Sequence, residues 1–254
     1  MQTNPLNQRI NIVLCLAGKG QRFVDQGYNT PKFLLCDQFN QRTILSLIIK
    51  NLATSGVQKF FLIFNKKHQK WEDQIKHALH EYNNLDINYF FIKDTSGQAE
   101  TAYQAAQIIE KQKLLSPSDP IGFHNGDTIL FNRDLNSIIK KLNQGHQGAI
   151  DTFHARSNAY SYVKISKEGT IKEMQEKKVI SSMASTGLYI FKSYETLLSY
   201  YEKTVFLKQE KYISEIYQTM IKQKLKIFNL HSSSRNDTLI LGTPREYEKW
   251  IKNG

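Results

Sequence analysis

The chain has 254 residues, 40% of them hydrophobic, and its 34 lysines and arginines against 23 aspartates and glutamates give a formal net charge of +11. This length suffices for one large α/β domain over residues 1–254, and no apolar run approaches the roughly 18 residues of a membrane-spanning helix. The charge favours anionic partners, but the basic residues are scattered and form no nucleic-acid motif, so small phosphorylated ligands are preferred over nucleic acid or a membrane.

The cysteines and the N-terminal segment indicate a reduced, cytoplasmic protein. Cys15 and Cys36 are too few for a disulfide framework, and both lie in apolar runs that favour buried free thiols. The apolar run over residues 10–17 is short, is interrupted by Asn11 and lacks a following small-residue cleavage site. We interpret it as a strand and not as a signal peptide.

The first half of the chain alternates predicted strands and helices. Strands are expected over residues 10–17, 60–64 and 87–92, and helices over 43–55 and 71–82. The first of these helices places Ile44, Ile48 and Leu52 on one face, and Gly56 can end it. The order β-α-β-α-β is typical of a parallel sheet with crossover helices, in which ligands bind at the carboxyl ends of the strands.

The second half mixes hairpins with further helices. Helices are predicted over residues 99–113, 134–143, 193–202 and 212–223, and strands over 120–124, 148–155, 184–191, 226–230 and 238–241. A turn at 167–169 predicts a hairpin between strands 162–165 and 170–174. A last helix begins with Thr243 as N-cap, Pro244 in the first turn and Glu246 three residues on. No repeat or linker indicates a second domain.

The first predicted strand ends in a loop rich in glycines and cations, which contains Gly18, Lys19, Gly20, Arg22 and Lys32. Glycines let backbone N–H groups approach an anion without interference from Cβ atoms, and Pro31 fixes the backbone just before Lys32. Phe23 stands where the dinucleotide fingerprint needs glycine, and the spacing is not that of a P-loop. The loop therefore predicts a site for a polyphosphate.

Polar residues follow two other predicted strands. Asp127, in Asn125-Gly126-Asp127, is a candidate ligand for Mg²⁺, which prefers carboxylate oxygen, although such a triplet alone is usually a turn. Gln98, beside Gly97, either reads a base edge or caps the following helix. We expect His124 to be structural, and His68, His77 and His80 to face solvent. The tyrosines at Tyr194, Tyr200, Tyr201 and Tyr217 are expected in the core or at an interface.

The stretch from Leu16 to Phe23 (Leu-Ala-Gly-Lys-Gly-Gln-Arg-Phe), followed by Pro-Lys-Phe-Leu-Leu from Pro31, resembles the signature of the sugar-phosphate nucleotidyltransferases, or nucleoside-diphosphate-sugar pyrophosphorylases. That superfamily also includes the phosphocholine and methylerythritol-phosphate cytidylyltransferases. Further segments are similar over most of the chain, at residues 97–101, 125–127, 176–177, 185–191 and 241–244. The resemblance implies a Rossmann-like, three-layer α/β/α fold with a mixed, mainly parallel central sheet.

The resemblance also implies roles for individual residues. Catalytic roles fall to Arg22, Lys32 and Asp127, with Asp127 as the Mg²⁺ ligand. Nucleotide binding, in the N-terminal half, falls to Leu16, Ala17, Gly18, Lys19, Gly20, Gly97, Gln98, Asn125 and Gly126. Acceptor binding, in the C-terminal half, falls to Glu176, Lys177 and Gly187. Many relatives have glycine at the position of Ala17. Many also have an acidic residue, a second metal ligand, at the position of Ile240; Asp237 is three residues earlier, so the second metal ligand is left open.

We therefore expect a Mg²⁺-dependent nucleotidyltransferase that uses an NTP, with CTP or UTP favoured, and a phosphorylated small-molecule acceptor. The acceptor is expected to be a sugar phosphate for surface or capsular polysaccharide synthesis, and a homodimer is compatible with the sequence. The alternatives are a cytidylyltransferase that acts on a phosphocholine-like or phosphoamino-acid-like acceptor, a glycosyltransferase that consumes an NDP-sugar, and a non-catalytic nucleotide-binding subunit. Neither the base nor the acceptor follows from the sequence.

Overall fold

The computed structural model describes residues 9–37, 41–231 and 235–253. The strands are β1 (Ile10–Leu16), β2 (Val57–Asn65), β3 (Asp86–Ile92), β4 (Ile121–Asn125), β5 (Thr128–Leu130), β6 (Gly148–His154), β7 (Tyr162–Ile165), β8 (Ile171–Gln175), β9 (Met183–Phe191), β10 (Ile227–His231) and β11 (Thr238–Ile240). The helices are α1 (Gln21–Val24), α2 (Ile44–Thr54), α3 (Glu72–Leu79), α4 (Gln98–Lys111), α5 (Asn136–Asn143), α6 (Tyr194–Lys203), α7 (Ile213–Lys222) and α8 (Pro244–Asn253). Short 3-10 turns lie at Lys32–Leu34, Lys66–Trp71, His80–Tyr82 and Arg235–Asp237.

Nine of the strands form one sheet. Seven follow the order β10-β6-β9-β4-β1-β2-β3, and the hairpin β7–β8 joins through β7 to β9. β1 runs parallel to β2 and β4, β2 to β3, and β10 to β6, whereas β9 is antiparallel to β4 and β6. The predicted mixed, mainly parallel sheet is confirmed, and the β-α-β-α-β order of the first half is the reason for its parallel part.

Helices cover both faces of this sheet, which confirms the predicted three-layer architecture. Alternation along β1 sends Ile12 and Leu14 into a core shared with α2, α5 and α8, and sends Val13 into a core shared with α4, α6 and α7. Buried alanines on α4 let that helix pack closely against the sheet; they are Ala99, Ala102, Ala105 and Ala106. No helix within the described ranges is long and apolar enough to cross a membrane.

Capping contacts are found at the starts of two predicted helices. Thr43 caps α2 by accepting a hydrogen bond from the Ser46 N–H at 3.0 Å. At α8 the Thr243 N–H donates to Glu246 Oε2 at 2.8 Å and the Glu246 N–H donates to Thr243 Oγ1 at 3.3 Å, which is the predicted reciprocal cap. The predicted hairpin is also present, with Val163 paired to Met174.

The strand β5 is absent from the sequence prediction. It pairs antiparallel with β11, with Leu130 opposite Thr238 and Thr128 opposite Ile240. These two strands form a separate ribbon beside the main sheet, called the β5–β11 ribbon below. A three-residue strand whose partner lies more than 100 residues away has too short a pattern to be recognised in the sequence. Asp127 immediately precedes β5, so the ribbon bears directly on the candidate site.

Candidate active site

The carboxyl ends of β1 and β4 meet at one edge of the sheet. These parallel strands are neighbours, and Cys15 near the end of β1 pairs with Asn125 at the end of β4. The glycine loop at residues 17–20 and the turn at 126–127 therefore leave the sheet side by side, as expected for ligand-binding loops. The structure thus brings together two segments that lie more than 100 residues apart in the sequence.

Gly18 and Gly20 face open space. A Cβ atom built on either glycine would have no atom within 4 Å. Gly20 also has a φ of 63°, in the left-handed region that favours glycine. The backbone of this loop is therefore accessible to a ligand, in agreement with the predicted polyphosphate site.

Other glycines of the predicted site are explained by packing within the protein. A Cβ at Gly97 would lie 2.5 Å from the Lys211 carbonyl oxygen, and Gly97 has a φ of 128°. A Cβ at Gly187 would lie 2.1 Å from Asn125 Nδ2, and Gly126 is likewise packed tightly against β1. These glycines allow segments of the chain to approach one another, and ligand contact at them stays a prediction.

An ion pair between Lys32 and Asp127 lies beside the glycine loop, with Nζ and Oδ2 2.6 Å apart. The two side chains are 21% and 22% exposed, so water screens the pair only in part. Burial alone would raise the pKa of Asp127, but the Lys32 ammonium and a hydrogen bond from the Thr128 hydroxyl hold that pKa below its ordinary value. The carboxylate is therefore ionised at neutral pH and is neutralised directly by Lys32.

The local backbone aims Lys32 toward this carboxylate. Pro31, with φ −55° and ψ 137°, precedes the 3-10 turn at Lys32–Leu34. Phe33 and Leu34 anchor this turn in the core, and Lys32 Nζ lies 6.0 Å from the centre of the Phe23 ring. The prediction that proline directs this lysine is consistent with the geometry.

The loop after β11 closes the space around Asp127. The Leu241 N–H donates to the Asp127 carbonyl oxygen at 2.7 Å. A Cβ at Gly242 would lie 3.3 Å from Asp127 Oδ2 and 3.7 Å from Glu246 Oε2. Arg22 reaches the same place, since its Nη1 donates to the Gly242 carbonyl oxygen at 3.5 Å. Three sequence-distant segments therefore surround this carboxylate.

The structure shows where the two positions considered for a second metal ligand, Ile240 and Asp237, lie relative to Asp127. Ile240 pairs with Thr128 across the ribbon, and the Asp237 carboxylate accepts a hydrogen bond from Asn132 at the end of the ribbon remote from Asp127. Glu246 is a further carboxylate beside Asp127, since its Oε2 atom and Asp127 Oδ2 both lie within 4 Å of the position that a Cβ on Gly242 would take. We read Glu246 in the sequence only as a capping residue, because its proximity to Asp127 depends on a long-range contact. Among the described residues no group of three or more histidine, cysteine, aspartate or glutamate side chains is arranged to hold a metal.

A second charged cluster lies on the other side of the glycine loop. Asp94 Oδ2 is 3.1 Å from Lys67 Nζ and 3.8 Å from Lys19 Nζ. Asn65 Nδ2 donates to Asp94 Oδ1 at 2.8 Å and to the Ala17 carbonyl oxygen at 3.3 Å. Asn65, Lys67 and Asp94 are not among the predicted site residues, although Asp94 begins a loop that is predicted to lie at this edge of the sheet. Their positions just at or after the ends of β2 and β3 were the signal that could have identified them.

Gln98 and Asn125 form a direct amide–amide contact. Gln98 Nε2 donates to Asn125 Oδ1 at 2.6 Å, and Gly97, not Gln98, is the N-cap of α4. Asn125 also packs against Gly187, so the contact lies between the predicted nucleotide and acceptor residues. Base reading by Gln98 stays a prediction.

Glu176 is held by two hydroxyl groups. Ser161 and Ser214 both donate to its Oε2 atom, the latter at 2.6 Å. Burial, with the nearby Glu176 charge, raises the pKa of Tyr189 to about 12, so this tyrosine stays protonated. Glu176 is therefore fixed in orientation by neutral donors, which suits a residue that accepts hydrogen bonds from a substrate.

Lys177 contacts a different part of the molecule. Its Nζ atom donates to the Tyr212 hydroxyl, lies 4.6 Å from the centre of that ring and is 3.7 Å from Glu210 Oε2. Tyr212 and Glu210 belong to the loop before α7, which was not part of the predicted site. Glu176 and Lys177, although adjacent, thus have separate sets of partners.

The histidine predictions are only partly confirmed. His124 is structural as expected: it is fully buried, its Nε2 lies 2.7 Å from the Thr128 carbonyl oxygen, and burial lowers its pKa to about 4. The prediction for His68 was wrong. It is half-buried, with its ring edge-on at 5.1 Å to Phe33, because the turn at Lys66–Trp71 folds back over the core. His77 and His80 are exposed as predicted, and both Tyr194 and Tyr217 are buried.

Solved structures resemble this chain over nearly its whole length. A nucleoside-diphosphate-sugar pyrophosphorylase from Vibrio cholerae RC9 has a TM-score of 0.83 and 24% identity, covering 95% of this chain and 100% of that one. A putative glucose-1-phosphate thymidylyltransferase from Bacillus anthracis has a TM-score of 0.77 and 16% identity, with coverages of 96% and 94%. A UDP-glucose pyrophosphorylase has a TM-score of 0.74 and 17% identity, with coverages of 96% and 97%. These similarities establish the fold.

The sequence itself gives the family. No curated protein matches it significantly. The family described as nucleotidyl transferase, however, matches residues 11–249, which include all but the first residue of β1, the ribbon and the first six residues of α8. The matched region contains the glycine loop, Lys32, Asp127 and Gly242, which lie together at this edge of the sheet. The chain belongs to the nucleotidyl transferase family.

Proposed function

We propose that this protein transfers a nucleoside monophosphate from an NTP to a sugar phosphate and releases pyrophosphate. The observation that carries the proposal is the ion pair of Lys32 and Asp127, 2.6 Å apart, beside the open glycine loop. The pair brings together, at the strand edge, a carboxylate suited to Mg²⁺ and a cation suited to a phosphate. Family membership supports the reaction class, and the sugar phosphate is suggested by the names of the structural relatives.

The proposed reaction brings negatively charged phosphates together, and the cations and backbone amides of this site are suited to stabilise that charge. An acceptor phosphate oxygen attacks the α-phosphorus, a new P–O bond forms, and the bond to pyrophosphate breaks with its electrons going to the leaving group. Negative charges meet in the attack and remain on the departing pyrophosphate, so positioning and electrostatic stabilisation dominate catalysis. Lys32 is assigned to the α-phosphate, and Lys19, Arg22 and the amides of loop 18–20 to the β- and γ-phosphates.

The oxygens around Asp127 fit Mg²⁺. This ion is usually held by one or two carboxylates together with substrate phosphates and water. Asp127 is ionised, and a Cβ at Gly242 would lie next to both Asp127 Oδ2 and Glu246 Oε2, at 3.3 and 3.7 Å. Asp127 would hold the metal, with Glu246 as the nearest further carboxylate. Bound Mg²⁺ supplies charge neutralisation at the phosphates.

The two substrates are assigned to opposite sides of Asp127. The nucleotide is proposed to lie along Leu16, Ala17, the glycine loop, Gly97, Gln98, Asn125 and Gly126. The acceptor is proposed to lie toward Glu176, Lys177 and Gly187. Glu176 supports this assignment because its fixed carboxylate can accept hydrogen bonds from sugar hydroxyls. CTP or UTP is the favoured nucleotide, and the product would serve glycosyl transfer, as in surface polysaccharide synthesis.

A non-sugar acceptor with an ammonium group is the second candidate. The Lys177 ammonium already lies over the Tyr212 ring and near Glu210, which is an environment suited to a cation. If Lys177 binds the acceptor phosphate, an ammonium group of the acceptor can occupy this place. A phosphorylated amino alcohol has the required chemistry.

The experiment is a pyrophosphate-release assay with each NTP, Mg²⁺ and a panel of phosphorylated sugars and amino alcohols. Release with a sugar phosphate supports the proposal, and release only with an amino-alcohol phosphate supports the second candidate. NDP release from an NDP-sugar without any pyrophosphate indicates a glycosyltransferase. NTP binding, seen as a rise in thermal stability, without turnover on any acceptor indicates a non-catalytic subunit.

A further inference from the structure

A buried ion pair lies behind the candidate site. Arg133, three residues after β5, and Asp151 on β6 have side chains that are 1% and 0% exposed. Arg133 Nε donates to Asp151 Oδ1 at 2.9 Å, and Nη2 donates to Oδ2 at 3.2 Å. This two-point contact fixes the guanidinium plane relative to β6. Neither residue was predicted as part of the site, and their burial keeps them from touching a substrate.

The remaining N–H groups of Arg133 reach the β5–β11 ribbon. Nη1 donates to the carbonyl oxygens of Phe131 and Asp237, both at 2.9 Å, and Nη2 donates to Thr238 Oγ1 at 2.9 Å. All five N–H donors of the guanidinium therefore have acceptors. Phe131 follows β5, Asp237 precedes β11 and Thr238 begins it. Arg133 consequently ties one end of the ribbon to β6 in the main sheet.

The other end of the same ribbon carries the site. Asp127 immediately precedes β5, and Gly242 follows β11 by two residues. The hydrogen bond from the Leu241 N–H to the Asp127 carbonyl oxygen, at 2.7 Å, joins the two strands there. From Asp127 at one end of the ribbon to Phe131 at the other, the chain advances four residues, roughly 13 Å. A small tilt at Arg133 therefore displaces the Asp127 carboxylate and Gly242 together.

Asp151 also contacts the strand that bears the predicted acceptor residue. Thr186 Oγ1 donates to Asp151 Oδ2 at 2.8 Å. At this point the pairing of β6 with β9 shifts in register, and Gly187, with a φ of 89°, is turned against Asn125. One carboxylate is thus linked both to the ribbon, through Arg133, and to the irregularity of β9.

This ion pair is a poor source of net stability. Removing two charges from water is costly, and burial raises the pKa of Asp151 despite the adjacent guanidinium. Well-packed apolar residues of similar volume commonly replace such a pair without loss of stability. Apolar side chains, however, cannot replace the five hydrogen bonds by which Arg133 connects three segments of the chain.

We propose that Arg133 and Asp151 are positioning residues, which hold the ribbon with Asp127 and Gly242 in register with the strand that carries Gly187. The expectation that losing this ion pair weakens substrate and metal binding rests on the proposed function. The expectation that it loosens the attachment of the ribbon to the main sheet does not. Residues that orient the ligands of a metal, without touching the metal, commonly control its affinity. Their loss weakens metal binding by about 10–100-fold.

The test compares the wild type with the double variant Arg133→Met/Asp151→Leu, which removes both charges and retains apolar bulk. Thermal unfolding reports global stability, hydrogen exchange at the Leu241 amide reports opening of the ribbon, and electron paramagnetic resonance reports Mn²⁺ binding in the presence of NTP. We expect a similar unfolding temperature, faster exchange at Leu241 and at least roughly tenfold weaker Mn²⁺ binding. Unchanged exchange and unchanged Mn²⁺ binding would overturn the proposal.

Thr238→Val provides a milder second variant if the double variant does not fold. It keeps a β-branched side chain and removes one of the five contacts of Arg133. Thr219→Val, on α7, is the matched control, because among the described residues its hydroxyl bonds to Glu215 within α7 and to Thr204. Faster exchange at Leu241 in Thr238→Val but not in Thr219→Val supports the proposal, and equal exchange in both contradicts it. If the wild type fails to bind Mn²⁺ with NTP, the proposed function fails while the exchange result still decides the positional claim.

Discussion

At the scale of single residues, charge compensation explains why Asp127 remains ionised in a partly buried position. Lys32 is 2.6 Å away, and its own direction is set by Pro31 and by the buried side chains that follow it. The same lysine is the group assigned to the α-phosphate. The Lys32 ammonium can pair with either of two anions, the Asp127 carboxylate or a phosphate. Because both attract it by charge alone, catalysis depends on where the ammonium group is held.

Lys32→Ala should lower kcat by roughly 10²–10³-fold, because it removes a preorganised charge that acts mainly in the transition state. Steady-state pyrophosphate release measures this effect. Lys59→Ala is the matched control, since Lys59 also pairs with an aspartate, Asp86 at 3.3 Å, but lies at the opposite end of β2 from the site. Equal turnover in the two variants would remove Lys32 from the mechanism.

The Lys32–Asp127 pair should also give the stability a specific pH dependence. The folded pKa of Asp127 is lower than its ordinary value of 3.8, so its contribution is complete above that value and is lost as pH falls through the folded pKa. The stability advantage of the wild type over Asp127→Asn should therefore shrink in strongly acidic solution. Urea unfolding at a series of pH values measures this difference, and a constant difference into the acid range would contradict the assignment.

At the scale of elements, loops attached to the sheet edge are held by contacts with distant segments. The Lys211 N–H donates to the Ser96 carbonyl oxygen at 2.6 Å, and the Ala99 N–H donates to the Lys211 carbonyl oxygen at 3.1 Å. The loop before α7 thereby clamps the start of α4 and, through Tyr212, also contacts Lys177. A glycine at position 97 is required by this clamp.

Substituting two glycines should separate packing from ligand access. Gly97→Ala forces a Cβ to within 2.5 Å of the Lys211 carbonyl oxygen at a φ of 128°, and should destabilise the fold by about 1–3 kcal/mol. Gly18→Ala meets no atom within 4 Å and should leave stability unchanged while weakening NTP binding. Denaturant unfolding and nucleotide titration measure the two effects. The interpretation is wrong if both variants lose stability equally.

At the scale of the whole molecule, local patterns were enough to predict a parallel sheet with crossover helices, and the family resemblance implied the three layers, but neither predicted all contacts of the site. Hydrophobic periodicity located the strands of the main sheet and the helix α2, and the capping pattern from Thr243 to Glu246 located the start of α8. The glycine loop and Asp127 were predicted to share an edge because parallel strands place their carboxyl ends together. This part follows from physical rules that act over short stretches of sequence.

The contacts missed in the sequence analysis join residues far apart in the chain. The β5–β11 ribbon, the bond of Arg133 to Asp237 and the contact of Lys177 with Tyr212 join residues about 35 to 112 positions apart. A three-residue strand is too short to show a hydrophobic period. In the sequence, charged residues such as Arg133 and Glu246 are expected at the surface, and their contacts form only when the fold brings distant partners near. The same reason explains why Glu246 was understood as a cap and not as a neighbour of Asp127.

The central claim is that the Lys32–Asp127 site transfers nucleotides, and pyrophosphate release tests it most directly. The wild type and Lys32→Ala are incubated with NTP, a sugar phosphate panel and increasing Mg²⁺. We predict Mg²⁺-dependent pyrophosphate release in equimolar amount to the nucleotide-sugar product, reduced at least roughly a hundredfold in Lys32→Ala. Absence of pyrophosphate with every NTP and acceptor, from a wild-type protein that binds NTP, would contradict the claim.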